Sequence, residues 1–581
     1  MSLRFFHSIT LFVACFAVLC RIGGDRVACV FAAGAAQADE QQGADNPDNR
    51  CERCHQAIYR KYEQTPMALA SGPAAEGLIP ADLKQSTTGV EYRIRKDGQQ
   101  VVLDYARPAM ASNGELIPEI QGQRVLQYSI GSGLQGRTYL FERDGYWFEA
   151  PINWYAQKRV WDMAPNFLHA AEMPLTLPVD PGCLRCHTSG AQTAMAQARN
   201  KFADVPFQHS GITCETCHGD ATAHVESDGH VSMAKIDEMP AKNRDSICLS
   251  CHLEGQAAIV HRGKKLVDFR PGDDLWDYAS FYVHASALGS DGRATSQWEA
   301  LLASACKQAS GDRLTCTTCH DPHGSDTRMT PSAKVNWYRA RCLSCHETPT
   351  EADHPPFSQT HFPQHRDCVA CHMQRAGSTD IAHEQVTDHH IVTQFASKVI
   401  PPATAGPLLE VGSERIETPA RNRDLGLAYA QFAALGDHEA AKQAEEILLQ
   451  AEQESTSSED APLHAQLGFL HQVNGQIRAA AQEYEAALRV NPEDAFAAGN
   501  LGTILAEFGH PLAAIQLWTP VLARNPAEKT VGINLATVEC ELGQREVALA
   551  TLDQVLEFEP DDRPAAALRL VIHERKRRCG R

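Results

Sequence analysis

Apolar and polar residues alternate along EYRIRKDGQQVVLDY, from Glu91 to Tyr105, and again along YLFERDGYWFEAPINWY, from Tyr139 to Tyr155. A period of two puts successive side chains on opposite faces of a strand, and Asp97-Gly98 and Asp144-Gly145 supply tight turns, so both stretches predict β-hairpins. They mark a small β-rich insertion at about residues 88–165, with Tyr146, Trp147, Trp154, Tyr155 and Trp161 as its expected core. A second pattern begins beyond a proline-containing linker at 398–420 and returns every 34 residues. Leu467, Leu501 and Leu535 keep that period, as do Gly475, Gly509 and Gly543, the small Ala480, Ala514 and Ala548, the large Tyr484, Trp518 and Leu552, and Pro492, Pro526 and Pro560. A fixed period of this length is the signature of a repeat architecture over residues 421–581.

The N-terminus carries a third pattern, the apolar run FFHSITLFVACFAVLC after Arg4, with Ala36-Gln37-Ala38 before Asp39. A short positive start, an apolar stretch and small residues at a cleavage point read as an export signal over residues 1–38. An uncleaved anchor is the alternative, and membrane association is expected only through this segment. The remaining composition is that of folded protein, 43% hydrophobic and 22% charged over 581 residues. A formal charge of -19 argues against nucleic acid as a partner.

Cysteine spacing adds the chemistry. Of 20 cysteines, fourteen fall in seven copies of Cys-x-x-Cys-His: Cys51, Cys54 and His55; Cys183, Cys186 and His187; Cys214, Cys217 and His218; Cys248, Cys251 and His252; Cys316, Cys319 and His320; Cys342, Cys345 and His346; Cys368, Cys371 and His372. Chance at this composition gives on the order of 0.03 copies. Two cysteines at this spacing each form a thioether to one haem vinyl group, and the adjacent histidine ligates the iron from below. Structural zinc also favours Cys-x-x-Cys knuckles, and disulfides suit an exported chain, but neither needs a histidine after every second cysteine. The pattern therefore predicts seven covalently attached haem c groups, whose apolar rings supply much of the interior of residues 39–397.

Each iron then needs a sixth ligand. Thirteen further histidines lie between His169 and His390, and the candidates for the distal side are His209, His224, His261, His323, His365, His383 and His389. His323 follows His320 by three residues, too near to cross to the far side of the same ring, so it is expected to reach a neighbouring haem; His224 and His209, close to the third motif, can bridge in the same way. Few non-motif histidines precede Cys183, so the first haem is the expected place for an open coordination site, with Met67 packing near it. Cys540 is expected in a repeat core, and Cys579 as a free thiol.

The repeats resemble the tetratricopeptide repeat, with Leu467-Gly468 in the first-helix signature and a more degenerate copy near GLAYAQFAALGD at Gly426. The resemblance implies an α-solenoid capped by a helix at Pro564 to Arg577, presenting a groove for a partner protein. The segments GITCETCHGDATAH, SACKQASGDRLTCTTCHDPHG and DCVACHM followed by IAHEQVTDHHI resemble the multihaem cytochrome superfamily that includes nitrite-reductase and hydroxylamine-oxidoreductase type proteins. The expected fold is thus mixed and mainly α, a multihaem cytochrome c domain followed by repeats. Two functions stay open: an exported, periplasmic electron-transfer protein serving a redox partner docked on the repeats, or an oxidoreductase acting on a small nitrogen or sulfur compound at one open haem. In the superfamily's nitrite reductases the open site often carries lysine in place of the motif histidine, and all seven motifs here end in histidine.

Overall fold

Both predicted hairpins form. Asp97 pairs with Gln100 across the first turn; Asp144 and Gly145 fill the second with φ of 56° and 83°, the left-handed pair that a two-residue turn between twisted strands requires. The computed structural model describes residues 46–110, 116–167, 170–195, 198–288, 294–324, 328–346, 367–375, 387–392, 404, 406–412, 419–454, 459–574 and 579–580. The proposed export signal, His169, His365 and His383 lie outside these residues.

The hairpins belong to a larger sheet than the insertion expected at 88–165. Its strands are β1 (Ser71–Pro73), β2 (Ala81–Lys84), β3 (Glu91–Asp97), β4 (Gln100–Met110), β5 (Leu116–Ile130), β6 (Gly136–Arg143), β7 (Tyr146–Glu149), β8 (Ile152–Tyr155) and β9 (Val160–Met163). All pair antiparallel in the order β2-β3-β4-β5-β6-β8-β9, with β1 on β5 and β7 on β6. The first two strands are three and four residues long, too short for their alternation to stand out. Tyr92, Ile94, Leu103, Tyr139, Phe141 and Phe148 fill the core of the sheet. Tyr146, Trp147 and Tyr155 are buried as expected, whereas Trp154 and Trp161 are half-buried and pack on each other at 6.1 Å.

A second, three-stranded sheet joins β10 (Ala257–Val260), β11 (Ala279–His284) and β12 (Leu408–Glu410). The last strand falls inside the segment expected to be a linker, so part of 398–420 is built into the fold. Around these sheets the cysteine motifs lie on mostly short helices: α1 (Asn49–Tyr62), α2 (Pro181–His187), α3 (Cys214–His218), α4 (Ala241–His252), α5 (Cys316–Cys319), α6 (Pro331–His346) and α7 (Cys368–His372).

The repeats run as helix pairs: α8 (Pro419–Ala434) with α9 (His438–Glu454), α10 (Ala461–Val473) with α11 (Ile477–Val490), α12 (Ala495–Glu507) with α13 (Pro511–Arg524), and α14 (Lys529–Glu541) with α15 (Arg545–Phe558), closed by α16 (Arg563–His573). Burial explains several positions of the 34-residue pattern. Ala480, Ala514 and Ala548, on the second helix of each pair, are fully buried, and Tyr484, Trp518 and Leu552 share their core clusters. A side chain at Gly468 or Gly502 would run into the ring of Tyr484 or Trp518, which is why the signature keeps glycine there. Burying one residue such as Trp518 is worth roughly 1.5–3 kcal/mol, and the period repeats that gain.

The two ends of the array are fastened to the rest of the chain. At the first repeat, α8 packs on the three-stranded sheet, where the Tyr429 hydroxyl oxygen accepts from the backbone N–H of Leu408 at 2.9 Å, and Arg421 pairs with Glu410 at 2.8 Å. At the last, Phe558 enters the core of the large sheet, and Asp561 holds Arg107 through two bonds of 2.5 and 2.8 Å while accepting from the Met173 N–H at 2.8 Å. Glu559 accepts in turn from Leu175 N–H and the Thr176 hydroxyl. Cys579 is not a free thiol: it forms a disulfide with the buried Cys540, and Gly580 N–H donates to the Cys540 carbonyl.

Candidate functional site

Polar residues just ahead of the cysteine pairs start their helices. Asp180 accepts from Gly182 N–H with Pro181 at the first helical position, Asp367 accepts from Ala370 N–H, and Thr315 closes a reciprocal cap with Thr318. Two carboxylates cap a motif other than their own. Asp48 at the start of α1 takes the Cys214 N–H at 2.9 Å, and Asp245 of α4 takes the Cys316 N–H at 3.2 Å.

These helices surround one cavity of about 2250 Å³. Ordinary small-ligand pockets reach only about 1,000 Å³, so this one has room for several groups. His55, His218, His252, His320, His346 and His372 line it, together with Cys186 of the remaining motif; His187 is not among the lining residues. Thiols of different motifs come within hydrogen-bonding reach: Cys51 of Cys214, Cys186 of Cys251, Cys248 of Cys316, and Cys342 of Cys368. Attachment points from separate copies are therefore neighbours in space.

Three motif histidines each face a histidine from another segment. His55 and His224 have ring centroids 6.4 Å apart with planes 20° from parallel; His218 and His323 lie 5.9 Å apart at 11°; His320 and His389 lie 6.2 Å apart at 31°. At a metal–nitrogen bond of about 2 Å, two imidazoles on opposite sides of one ion have centroids about 6 Å apart, since each centroid lies roughly 1 Å behind its nitrogen. The spacing thus fits an iron held between each pair. Hydrogen bonds fix which nitrogen is offered. Nδ1 of His224 bonds the Val231 carbonyl at 2.8 Å, Nδ1 of His389 the Thr387 carbonyl at 2.8 Å, and Nδ1 of the motif histidine His372 the Val392 carbonyl at 2.7 Å. With Nδ1–H donating, Nε2 keeps its lone pair for a metal. Burial reinforces this by disfavouring the imidazolium: it lowers His218 and pushes His389 down to about 4.

Of the histidines named for the distal side, His224, His323 and His389 are brought opposite motif histidines, and Met67 lines the cavity near α1. The expectation of an unfaced first motif rested on nearness along the chain, and it runs against the position of His224. His261 does not line the cavity; its Nε2 lies 3.0 Å from the Ser280 hydroxyl and 3.5 Å from Asp424 at the junction with the repeats. His209 sits on a two-residue strand pairing with Ser189, beside the second motif and also off the cavity wall. Sequence reasoning missed the supports. Lys61 of α1 pairs with Asp321 at 2.7 Å, and Asp321 takes the His323 N–H at 3.0 Å, which ties the first motif's helix to the loop that carries His323. Tyr338 lies 3.4 Å from Nδ1 of His320. The place of Asp321 directly after His320 was a local signal; nothing along the chain points to Lys61.

Comparison with known proteins agrees with this chemistry. Residues 308–351 match the doubled CXXCH motif family, residues 159–219 the cytochrome c554 and c-prime family, and residues 505–570 the tetratricopeptide repeat family. The chain is 23% identical over 223 residues to the multiheme cytochrome MtrA of Shewanella baltica (strain OS185), covering 36% of this chain and 56% of that protein. It thus spans just over half the length of this curated relative. Among solved structures, the tetratricopeptide protein YrrB aligns at 22% identity over 26% of this chain and 75% of its own, with a TM-score of 0.23. MamA from Desulfovibrio magneticus RS-1 aligns at 16% identity over 27% and 85%, with a TM-score of 0.24.

Proposed function

We propose that this chain, a multihaem c-type cytochrome with C-terminal tetratricopeptide repeats, is an exported electron carrier that holds seven haem c groups in one connected array and serves a redox partner recruited through the repeats. Haem iron held by two imidazoles supplies a one-electron couple of relatively low potential. The protein's part is to fix those imidazoles and keep neighbouring sites in contact.

The observation that carries the reading is the interlocking of histidine pairs. Residues 218–224 supply the proximal histidine of the third motif and the partner of His55 in the first. Residues 320–323 do the same for the fifth and third, and His389 faces His320 of the fifth motif from beyond the seventh. The two short segments therefore each touch two sites at once, and with the His320–His389 pair they give the order first, third, fifth, seventh. The cysteine contacts join the second motif to the fourth, the fourth to the fifth, and the sixth to the seventh. All seven attachment points fall into one network, as a carrier that moves electrons by short steps requires. Export is supported by the N-terminal pattern, by thioether-forming motifs and by the Cys540–Cys579 disulfide, which persists in an oxidising compartment. An oxidoreductase with its open site at the first motif is disfavoured by His224.

Intact mass of the purified protein should show seven covalent haem increments. Electron paramagnetic resonance of the oxidised protein should then give a new high-spin ferric signal in each of His224→Ala, His323→Ala and His389→Ala, one centre at a time, and none in His261→Ala. Fewer increments, or no spin change in the first three variants, refutes the array. A high-spin signal in the unaltered protein that shifts with nitrite or hydroxylamine favours the oxidoreductase.

A further inference from the structure

Away from the cavity, the joint between the first two repeats gathers a second set of ligand-type side chains. His464 on α10 is buried, its side chain 7% exposed, and its Nδ1 points between two carboxylates. Glu483 Oε2 of α11 lies 2.7 Å away and Glu452 Oε1 of α9 lies 3.8 Å away. The three ligand atoms all fall within 4.8 Å of one another. Two turns along the same helices, His471 makes an instructive contrast. It meets one carboxylate, Glu445, at 3.0 Å, and the second oxygen of Glu445 takes the Asn474 amide at 2.8 Å. That rung sets one imidazole against one carboxylate, both of whose oxygens are hydrogen-bonded. The upper rung brings two carboxylates to one imidazole, with Glu452 beyond hydrogen-bond distance, and Glu483 acts on Glu452 as a like charge.

We infer that Glu452, His464 and Glu483 form a binding site for a divalent transition-metal ion that joins the first repeat to the second. A tetrahedral ion with bonds of about 2.1 Å holds its ligand atoms about 3.4 Å apart, and the two distances from Nδ1 bracket that value. One imidazole and two carboxylates favour zinc or ferrous iron over calcium or magnesium, whose sites are built from oxygen alone. The ion neutralises the surplus negative charge, and solvent reaches the site on the side of Glu452, which is 29% exposed. Because α8 and α9 are fastened to the haem-bearing part while α10 and α11 begin the rest of the array, the ion bridges the joint at which the repeats leave their anchor.

The test uses the full-length protein with its haems attached, washed with chelator, exposed to zinc chloride and passed over a desalting column; zinc is then counted by mass spectrometry against haem iron. The unaltered protein should retain one zinc that Glu452→Gln and His464→Gln each bind at least ten-fold more weakly, while His471→Gln retains it. Glu452→Gln changes no volume, and an unchanged helical circular dichroism spectrum shows that it is folded. Equal zinc in the unaltered protein and both site variants, or no retained zinc in the unaltered protein at micromolar metal, overturns the site and leaves a hydrogen-bonded bridge only.

Discussion

The part that carries the cysteine motifs and the part that carries the repeats solve the same problem, where to find a core, in opposite ways. In the repeats the core is made of side chains, and Leu467, Tyr484, Ala480 and their equivalents return every 34 residues to rebuild it. Around the motifs the described residues enclose a large cavity, and many of their histidines and cysteines face inward rather than a packed apolar layer. Interiors elsewhere in proteins are close-packed, so the difference identifies what the cavity is shaped for: large apolar groups bound covalently. A repeated side-chain core can be extended unit by unit. A core of attached groups ties the fold to its own chemistry.

The comparison breaks most completely if attachment is prevented. With all fourteen motif cysteines changed to alanine, segments 47–62, 214–260 and 316–346 should become sensitive to protease while the repeats keep their helical circular dichroism and their own thermal transition. The large sheet, which has a side-chain core of its own, should survive with the repeats. Persistence of protection around the motifs would mean that side chains alone fill the interior, and the contrast would fall.

Next in size is the fastening between the two parts. Asp561 is 1% exposed and Arg107 11%, and removing Asp561 strips Arg107 of its buried partner, leaving it the exposed Glu119 at 2.9 Å, and takes the acceptor from the Met173 N–H, at a cost of about 3 kcal/mol. Asp561→Ala should lower stability to denaturant by that much and raise hydrogen exchange at Arg107 and Met173, with the haem spectrum unchanged. A small effect would show that the parts are joined mainly by apolar contact at Phe558.

The same contrast governs what could be read along the chain. The hairpins at Asp97 and Asp144 and the repeat period were legible because each is a local pattern enforced by burial. The seven motifs were legible for a different reason, since their spacing is fixed by the group they attach. His323 and His224 could be expected to cross to a neighbour because a short segment cannot reach round its own ring. Their partners could not be named, and His209 looked no different from them, because facing is a property of the fold. Arg107 and Asp561 are 454 residues apart, and neither lies in a pattern that marks it. Cys540 and Cys579 met because α16 brings the chain end back along the last repeat, a return that no spacing announced.

That disulfide sharpens the repeat side of the comparison. It ties the end of the chain to α14 across 39 residues, and loss of a link closing a loop of this size costs about 2–4 kcal/mol. Cys579→Ser should lower the thermal transition of the repeats without moving the transition assigned to the haem-bearing part; a shift in both would show that the array melts as one body with its anchor.

The smallest expected effect lies at one helix start. Asp494 caps α12 by accepting from the Ala497 N–H at 2.9 Å, in the turn that follows Pro492, and Asp460 and Asp562 cap α10 and α16 in the same register. Replacing a cap aspartate with alanine costs about 1 kcal/mol, because a backbone N–H at the first turn is left to water. Asp460 also holds Arg423 at 2.8 Å, and Asp562 holds Lys529 at 3.0 Å, so their replacement removes an ion pair besides the cap. Asp494→Ala isolates the cap alone. Denaturation of that variant should show a loss near 1 kcal/mol confined to the repeats, and an equal loss in the haem-bearing part would mean that the two cores, built so differently, do not unfold separately.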